Sequence, residues 1–439
     1  MKHIIKAVLI LFVVLANNDA IYGQNSTIKL DIRNAESGTK VILQKYSGLK
    51  QLKTDSLQVE VNTEMNFGKD KPLLPGMYSI TNDKKLLANF FISNPEFDSF
   101  TISLDIENPA QTLVFAGSPE NQAFIDYLRF LNANQQKGEQ AEMVIRQKGK
   151  ELQKQFPGTM LALFIKSLSQ SEIPEPAITV ANKQEYTYYY MANHFFDNID
   201  FSDSRLLKTP ILEQKLGSYF RQIAPPVADS IKIRVTEVLA KARANDEVYN
   251  WAVKYLYQLY RESPIQDNSQ VYNFIGEQFI LNEPKRWNDT AFVEKVRERV
   301  ANAKLNPVGA IATNLKLQTP EGKTSDLYSI EASKTILLFF NPGCEACHAV
   351  TEELFAIYQQ YKAKGIQVYA VYTDRNTEEW KNYISAKGLD WINVFDPTGE
   401  EEIDRKYDIF AIPLIYMLDK DKKILAKDIP VNQLNTYLK

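Results

Sequence analysis

The 439-residue chain predicts a multidomain protein: an N-terminal antiparallel β module, an all-α middle domain and a C-terminal α/β domain. Three changes of pattern carry that prediction. Short period-2 runs fill residues 24–117, a helical period holds over 118–305, and strand-like and helix-like segments alternate over 306–439.

A separate segment, residues 1–23, precedes them. Lys2 and Lys6 form a basic start, and the apolar run AVLILFVVLA (7–16) has the length of a signal-peptide core and is too short to span a bilayer. Cleavage is expected between Gly23 and Gln24, although Ile21 and Tyr22 are bulkier than such sites favour; an uncleaved anchor is the alternative. No cysteine follows the run, so lipid attachment there is not expected, and the predicted location is the periplasm.

In the β region, TIKLDIR (27–33), KVILQKY (40–46), LQVEVN (57–62) and ANFFIS (89–94) read as strands. Their breaks contain turn residues such as Pro75-Gly76, and the spacing suits a small antiparallel sandwich or barrel. The pattern changes at Ser118-Pro119-Glu120. Ser118 suits an N-cap, Pro119 is preset for the first helical position, and Glu120 suits the positive end of the helix dipole. FIDYLRFL (124–131), MLALFIKSL (160–168), YTYYYMANHFF (186–196) and WAVKYLYQLY (251–260) follow with helical period, divided at breaks such as Ile173–Pro176, Pro210, Pro225-Pro226 and Pro284. Their dense aromatics are expected in the core, and His194 is expected to be structural.

Asn306-Pro307 opens the last region. The expected order is LKLQT (315–319), TILLFF (335–340), a helix over 345–363, IQVYAVY (366–372), a helix over 377–387, INVFD (392–396), a short helix near 400–406, LIYMLD (414–419), KKILAK (422–427) and a C-terminal helix.

Composition narrows the chemistry. The net charge is −3 and no basic run occurs, which argues against a nucleic-acid partner. Beyond residue 23 the only histidines are His194 and His348, too few for a multi-histidine metal site or a Ser–His–Asp triad. The only cysteines are Cys344 and Cys347, in the string Cys344-Glu345-Ala346-Cys347-His348. C-x-x-C-H is a haem-attachment string, whereas C-x-x-C between a strand and a helix is a thiol–disulfide site. The flanks decide for thiol exchange without haem or other cofactor. TILLFF runs directly into the motif and a long amphipathic helix follows it. Met417, the conceivable distal iron ligand, sits inside a strand pattern. Ile412-Pro413 places a proline at the start of that strand, where a ladder donor is lost unless the site is a turn, an edge or a cis bond. A Cu(I) site on the two thiolates and His348 is a weaker option.

With these residues in view, 306–439 resembles the thioredoxin-like domains of exported bacterial thiol–disulfide oxidoreductases of the TlpA and cytochrome-maturation branch. The resemblance includes an N-terminal extension, VGAIATNLKLQTPEGKTSDLYSI, and implies that Pro413 is a cis-proline facing the cysteines. Upstream, HFFDNIDFSDSRLLKTPIL (194–212) is similar to a helical family of unknown function, and the first region to the β modules that precede such domains. The departures matter too: Gly343 stands where the family has Trp, Leu338 where it has a buried carboxylate, and Glu352 where it has a helix-kinking proline.

A helix N-terminus stabilises a thiolate through unpaired N–H groups and the dipole, so Cys344 is expected to be the nucleophile and Cys347 the resolving thiol. Ile412 and Pro413 are expected to bind an extended substrate segment by strand addition. Glu345, His348 and Glu352 are candidate modulators; no metal is expected. The implied partners are a disulfide-bearing protein and an envelope electron donor. The alternative is an envelope binding or scaffolding protein whose upstream domains carry the function.

Overall fold

The computed structural model describes residues 27–438 except 60–64, 69–72, 83–84, 95–97, 135–138, 176–181, 263–267, 408 and 410. The expected signal segment and its cleavage point lie outside these residues, as does the end of LQVEVN. Contacts divide the chain into two units, Met1–Lys215 and Leu216–Lys439, so the division falls inside the helical region rather than at either end of it.

Among the described residues, the first unit begins with eight strands: β1 (Ile28–Arg33), β2 (Lys40–Ser47), β3 (Lys50–Gln58), β4 (Met65–Phe67), β5 (Gly76–Asn82), β6 (Lys85–Ile92), β7 (Phe100–Asp105) and β8 (Val114–Ala116). They form two four-stranded sheets, ordered β4-β1-β7-β8 and β3-β2-β5-β6. The pairing is antiparallel except that β1 and β7 run parallel, with Ile28 opposite Phe100. Aromatic packing joins the sheets: the Phe90 ring lies 5.8 Å from that of Phe100 and 6.3 Å from that of Phe115. Phe91, one residue on, points to the other face of its strand.

There it meets the helices of the unit, α1 (Pro109–Thr112), α2 (Pro119–Asn134), α3 (Glu139–Gln155), α4 (Met160–Leu168) and α5 (Lys183–His194). The Phe91 ring is 4.6 Å from Phe124 of α2 and 5.5 Å from Phe164 of α4. Asn121 replaces a neighbouring strand at this sheet edge, accepting from Phe91 N at 2.7 Å and donating to Phe91 O at 2.9 Å. Ser118 accepts from Asn121 N, as an N-cap does. One expectation fails on α5. Of its aromatic run, Tyr188 and Tyr189 are exposed, and the helix buries only Ala192. His194 is structural as expected: it stacks on Tyr190 and its Nδ1 pairs with Asp197 at 2.6 Å.

The helix α6 (Ile211–Ser218) runs across the division and continues as a π-helical turn, Tyr219–Ile223. The second unit then has α7 (Ala228–Ala242), α8 (Asp246–Arg261), α9 (Asn268–Ile275), which also ends in a π-helical turn, and α10 (Thr290–Ala303). Asn245 caps α8 by accepting from Glu247 N and Val248 N.

Seven strands complete the unit: β9 (Lys316–Gln318), β10 (Thr324–Asp326), β11 (Lys334–Phe340), β12 (Ile366–Tyr372), β13 (Ile392–Phe395), β14 (Leu414–Asp419) and β15 (Ile424–Lys427). Their order is β10-β9-β13-β12-β11-β14-β15. The central strand, β11, pairs parallel with β12 and antiparallel with β14. It is apolar on both faces because both are covered. Ile336, Leu338 and Phe340 face α11 (Glu345–Tyr361) and α12 (Thr377–Lys387), together with α14 (Leu434–Leu438). Leu337 and Phe339 face the N-terminal extension and α13 (Ile403–Tyr407). Buried tyrosines fasten that extension: Tyr369 donates to Ser325 O at 3.0 Å, and Tyr407 donates to Thr313 O. The helix α12 ends at Gly388 in the left-handed region, the usual stop before a strand. No described helix is long and apolar enough to cross a membrane.

Candidate active site

The end of β11 and the start of α11 build the site. Asn341, Pro342 and Gly343 form the turn between them, and the Asn341 side chain holds it: Oδ1 accepts from Gly343 N at 2.7 Å, and Nδ2 reaches Asp374 at 3.4 Å. The Asn341 carbonyl also accepts from Cys344 N at 3.0 Å. A Cβ at Gly343 would lie 3.3 Å from Asn341 Oδ1, so this tight turn favours glycine next to the cysteine.

Cys344 is the N-cap residue of α11, with φ −97° and ψ 118°, and it is half-buried. Its thiol donates to the Ile412 carbonyl at 3.7 Å. The Ile412–Pro413 peptide is cis and joins α13 to β14, with both residues half-buried. The structure therefore brings Cys344, Cys347, Ile412 and Pro413 to one place.

Cys347 differs from its neighbour. It is 1% exposed, packed among Leu338, Phe340 and Leu354. Burial pushes its thiol up to about 12, and its contact with Cys344 adds to the rise, while a hydrogen bond from the Asn341 backbone opposes it. Leu338, fully buried on the face below, offers no carboxylate.

The expected modulators separate. Glu345 is exposed in the first turn of α11. The His348 ring meets the edge of Tyr383 at 5.1 Å, and its Nε2 contacts the Pro342 carbonyl, so it braces the turn. Glu352 is exposed and pairs with Lys387 at 2.6 Å, which holds its carboxyl below the usual range. A carboxylate engaged in this way is a poor proton acceptor for Cys347. The sequence reading missed Asn341, Thr351 and Tyr383. Asn-Pro-Gly is a turn signature that marked the first of them. The second sits four residues after Cys347, on the same helix face. Nothing local marked Tyr383, which arrives from another helix.

The covered central strand, the helix-capping cysteine and the cis-proline define a thioredoxin-like domain of the thiol–disulfide oxidoreductase class. Residues 308–427 match the AhpC/TSA family, and residues 131–306 match a domain of unknown function, DUF5106. Over 135 residues the chain is 27% identical to the thiol-disulfide oxidoreductase ResA of Bacillus thuringiensis subsp. konkukian, covering 30% of this chain and 77% of that protein. It is 28% identical over 118 residues to human nucleoredoxin, covering 26% of this chain and 27% of that protein. A solved thioredoxin-like protein from Bacteroides caccae has the same fold over 62% of this chain and 98% of its own, with TM-score 0.51 and 22% identity.

Proposed function

We propose that this chain is an exported reductase of protein disulfides, with Cys344 as nucleophile and Cys347 as resolving thiol. The observation that carries the assignment is the unequal burial of the two sulfurs, one at the mouth of a helix N-terminus and the other 1% exposed. The Cys344 thiolate attacks one sulfur of a substrate disulfide, forming a mixed disulfide and releasing the other sulfur as a thiol. Cys347 then attacks Cys344 Sγ. The mixed disulfide breaks, the second substrate thiol leaves, and two electrons have passed from the cysteine pair to the substrate. The Ile412 carbonyl, 3.7 Å from Cys344 Sγ, suits pairing with an extended substrate segment beside the reacting sulfur.

Export is supported by the basic start and apolar run of residues 1–23, and the envelope is where such a chain meets disulfide-bearing substrates. The reducing direction rests on the residues between the cysteines. Glu345 adds a negative charge at the helix start and Ala346 offers no donor, so neither favours the reduced form as a strongly oxidising site would. The pair must then be recharged by an envelope electron donor. A glutathione-equilibrium titration of the full chain tests the direction. The expected potential is nearer thioredoxin's, about −270 mV, and a value above about −180 mV would assign an oxidase or isomerase instead.

A further inference from the structure

We propose that the hydroxyls of Thr351 and Tyr383 carry away the proton that Cys347 loses when it resolves the mixed disulfide. The inference rests on the exchange reading above. Cys347 must ionise to attack, yet it lies in an apolar core, against Ile336, Leu338 and Phe340 on the face of β11 that α11 covers. The titratable neighbours are few. From α11 they are Cys344, His348 and Glu352, and from α12 they are Tyr383 and Lys387. Tyr372 comes from β12. Glu352 and Lys387 are paired with each other, and the Tyr372 hydroxyl is spent on the Asn376 carbonyl at 3.2 Å.

Two hydroxyls remain. Thr351 lies one turn beyond Cys347 and is 1% exposed. Among the described residues its Oγ1 takes no partner outside this pair, not even the carbonyl four residues back that a helical threonine ordinarily takes. The Tyr383 hydroxyl is equally shielded, and among the described residues Thr351 is the one side chain whose hydrogen bond it feels. Its ring sits 5.1 Å from His348 and 6.3 Å from Phe340, over the first turns of α11. Tyr383 also feels both other groups: a Cys347 anion opposes its ionisation and the Thr351 hydroxyl favours it. Other buried hydroxyls, such as that of Tyr260, also lack partners, so it is the place of this pair, beside the resolving cysteine and over the first turns of α11, that points to the redox step.

In the step, the Cys347 thiol gives its proton to one hydroxyl oxygen, that hydroxyl gives its own to the second, and the second gives its own to solvent water at the edge of the site, so both hydroxyls stay neutral. The resulting thiolate bonds to Cys344 Sγ. The bond between Cys344 and the substrate breaks, its electron pair leaves on the substrate sulfur, and that sulfur takes up a proton at the mouth of the site.

Single-turnover kinetics of the full chain with a disulfide-bonded model protein separate formation of the mixed disulfide from its resolution. Thr351→Val and Tyr383→Phe keep shape and remove only the hydroxyls. Near neutral pH, each is expected to slow resolution by roughly a hundredfold with formation unchanged, the scale of a lost proton-transfer group. The deficit should shrink as pH rises, because hydroxide then takes the Cys347 proton directly. Resolution at the wild-type rate in both variants and in the double variant would overturn the proposal, as would a deficit independent of pH. A wild-type chain that forms no mixed disulfide at all would overturn the exchange reading itself.

Discussion

At the residue scale, two cysteines three positions apart are made into different reagents by where the helix begins. Cys344 caps it and Cys347 is carried inside. Its raised ionisation has a defined consequence for pH. Below about 9, the thiol is protonated in both folded and unfolded chains, and its contribution to stability is fully present. Between about 9 and about 12 the unfolded chain ionises first, so that contribution is lost as pH rises. In a Cys344→Ser chain, Cys347 should therefore resist alkylation near neutral pH and become labelled only in alkali or denaturant; ready labelling of the folded variant at neutral pH would reverse the two roles. Asn341 holds the turn that carries both cysteines: its carbonyl accepts from Cys344 N, and its backbone opposes the rise at Cys347. Asn341→Ala removes the Oδ1 clasp on Gly343 and is expected to cost about 1 kcal/mol of stability. Asn341→Asp keeps that acceptor but turns the donor facing Asp374 into a second carboxylate, so it should recover stability only at acid pH, as read from urea midpoints.

At the element scale, the strands and helices of the C-terminal region were legible because burial there follows simple periods. TILLFF alternates between two covered faces, and the expected helix at 377–387 is the observed α12. That helix is pinned by Trp380, fully buried, which stacks on Tyr372 with ring centroids 5.5 Å apart. Trp380→Ala should cost about 3–5 kcal/mol. It should also loosen the helix that presents Tyr383, as thermal unfolding with near-ultraviolet circular dichroism would show. The exposed tyrosines of α5 were illegible for the opposite reason. Helical spacing of aromatics shows that residues share a face, and says nothing of whether another element covers it. The parallel pairing of β1 with β7 was equally hidden, since strand patterns carry no direction.

At the scale of the whole molecule, the motif, its thiol chemistry and the three-part organisation could be read from the chain. The position of the division inside the helical region could not, because it depends on contacts distant in sequence. The CEACH string also spells haem attachment, and Met417, the conceivable distal ligand, is fully buried in the sheet. The protein should be colourless after purification, with no covalent Soret-absorbing group on Cys344 and Cys347. The central claim is a directional exchange that begins at Cys344, and trapping tests it most directly. A full-length Cys347→Ser chain, incubated with a disulfide-bonded protein, should accumulate a mixed disulfide that peptide mass spectrometry places on Cys344, while Cys344→Ser accumulates none. An adduct on Cys347 in the Cys344→Ser chain, with none in Cys347→Ser, would contradict the account.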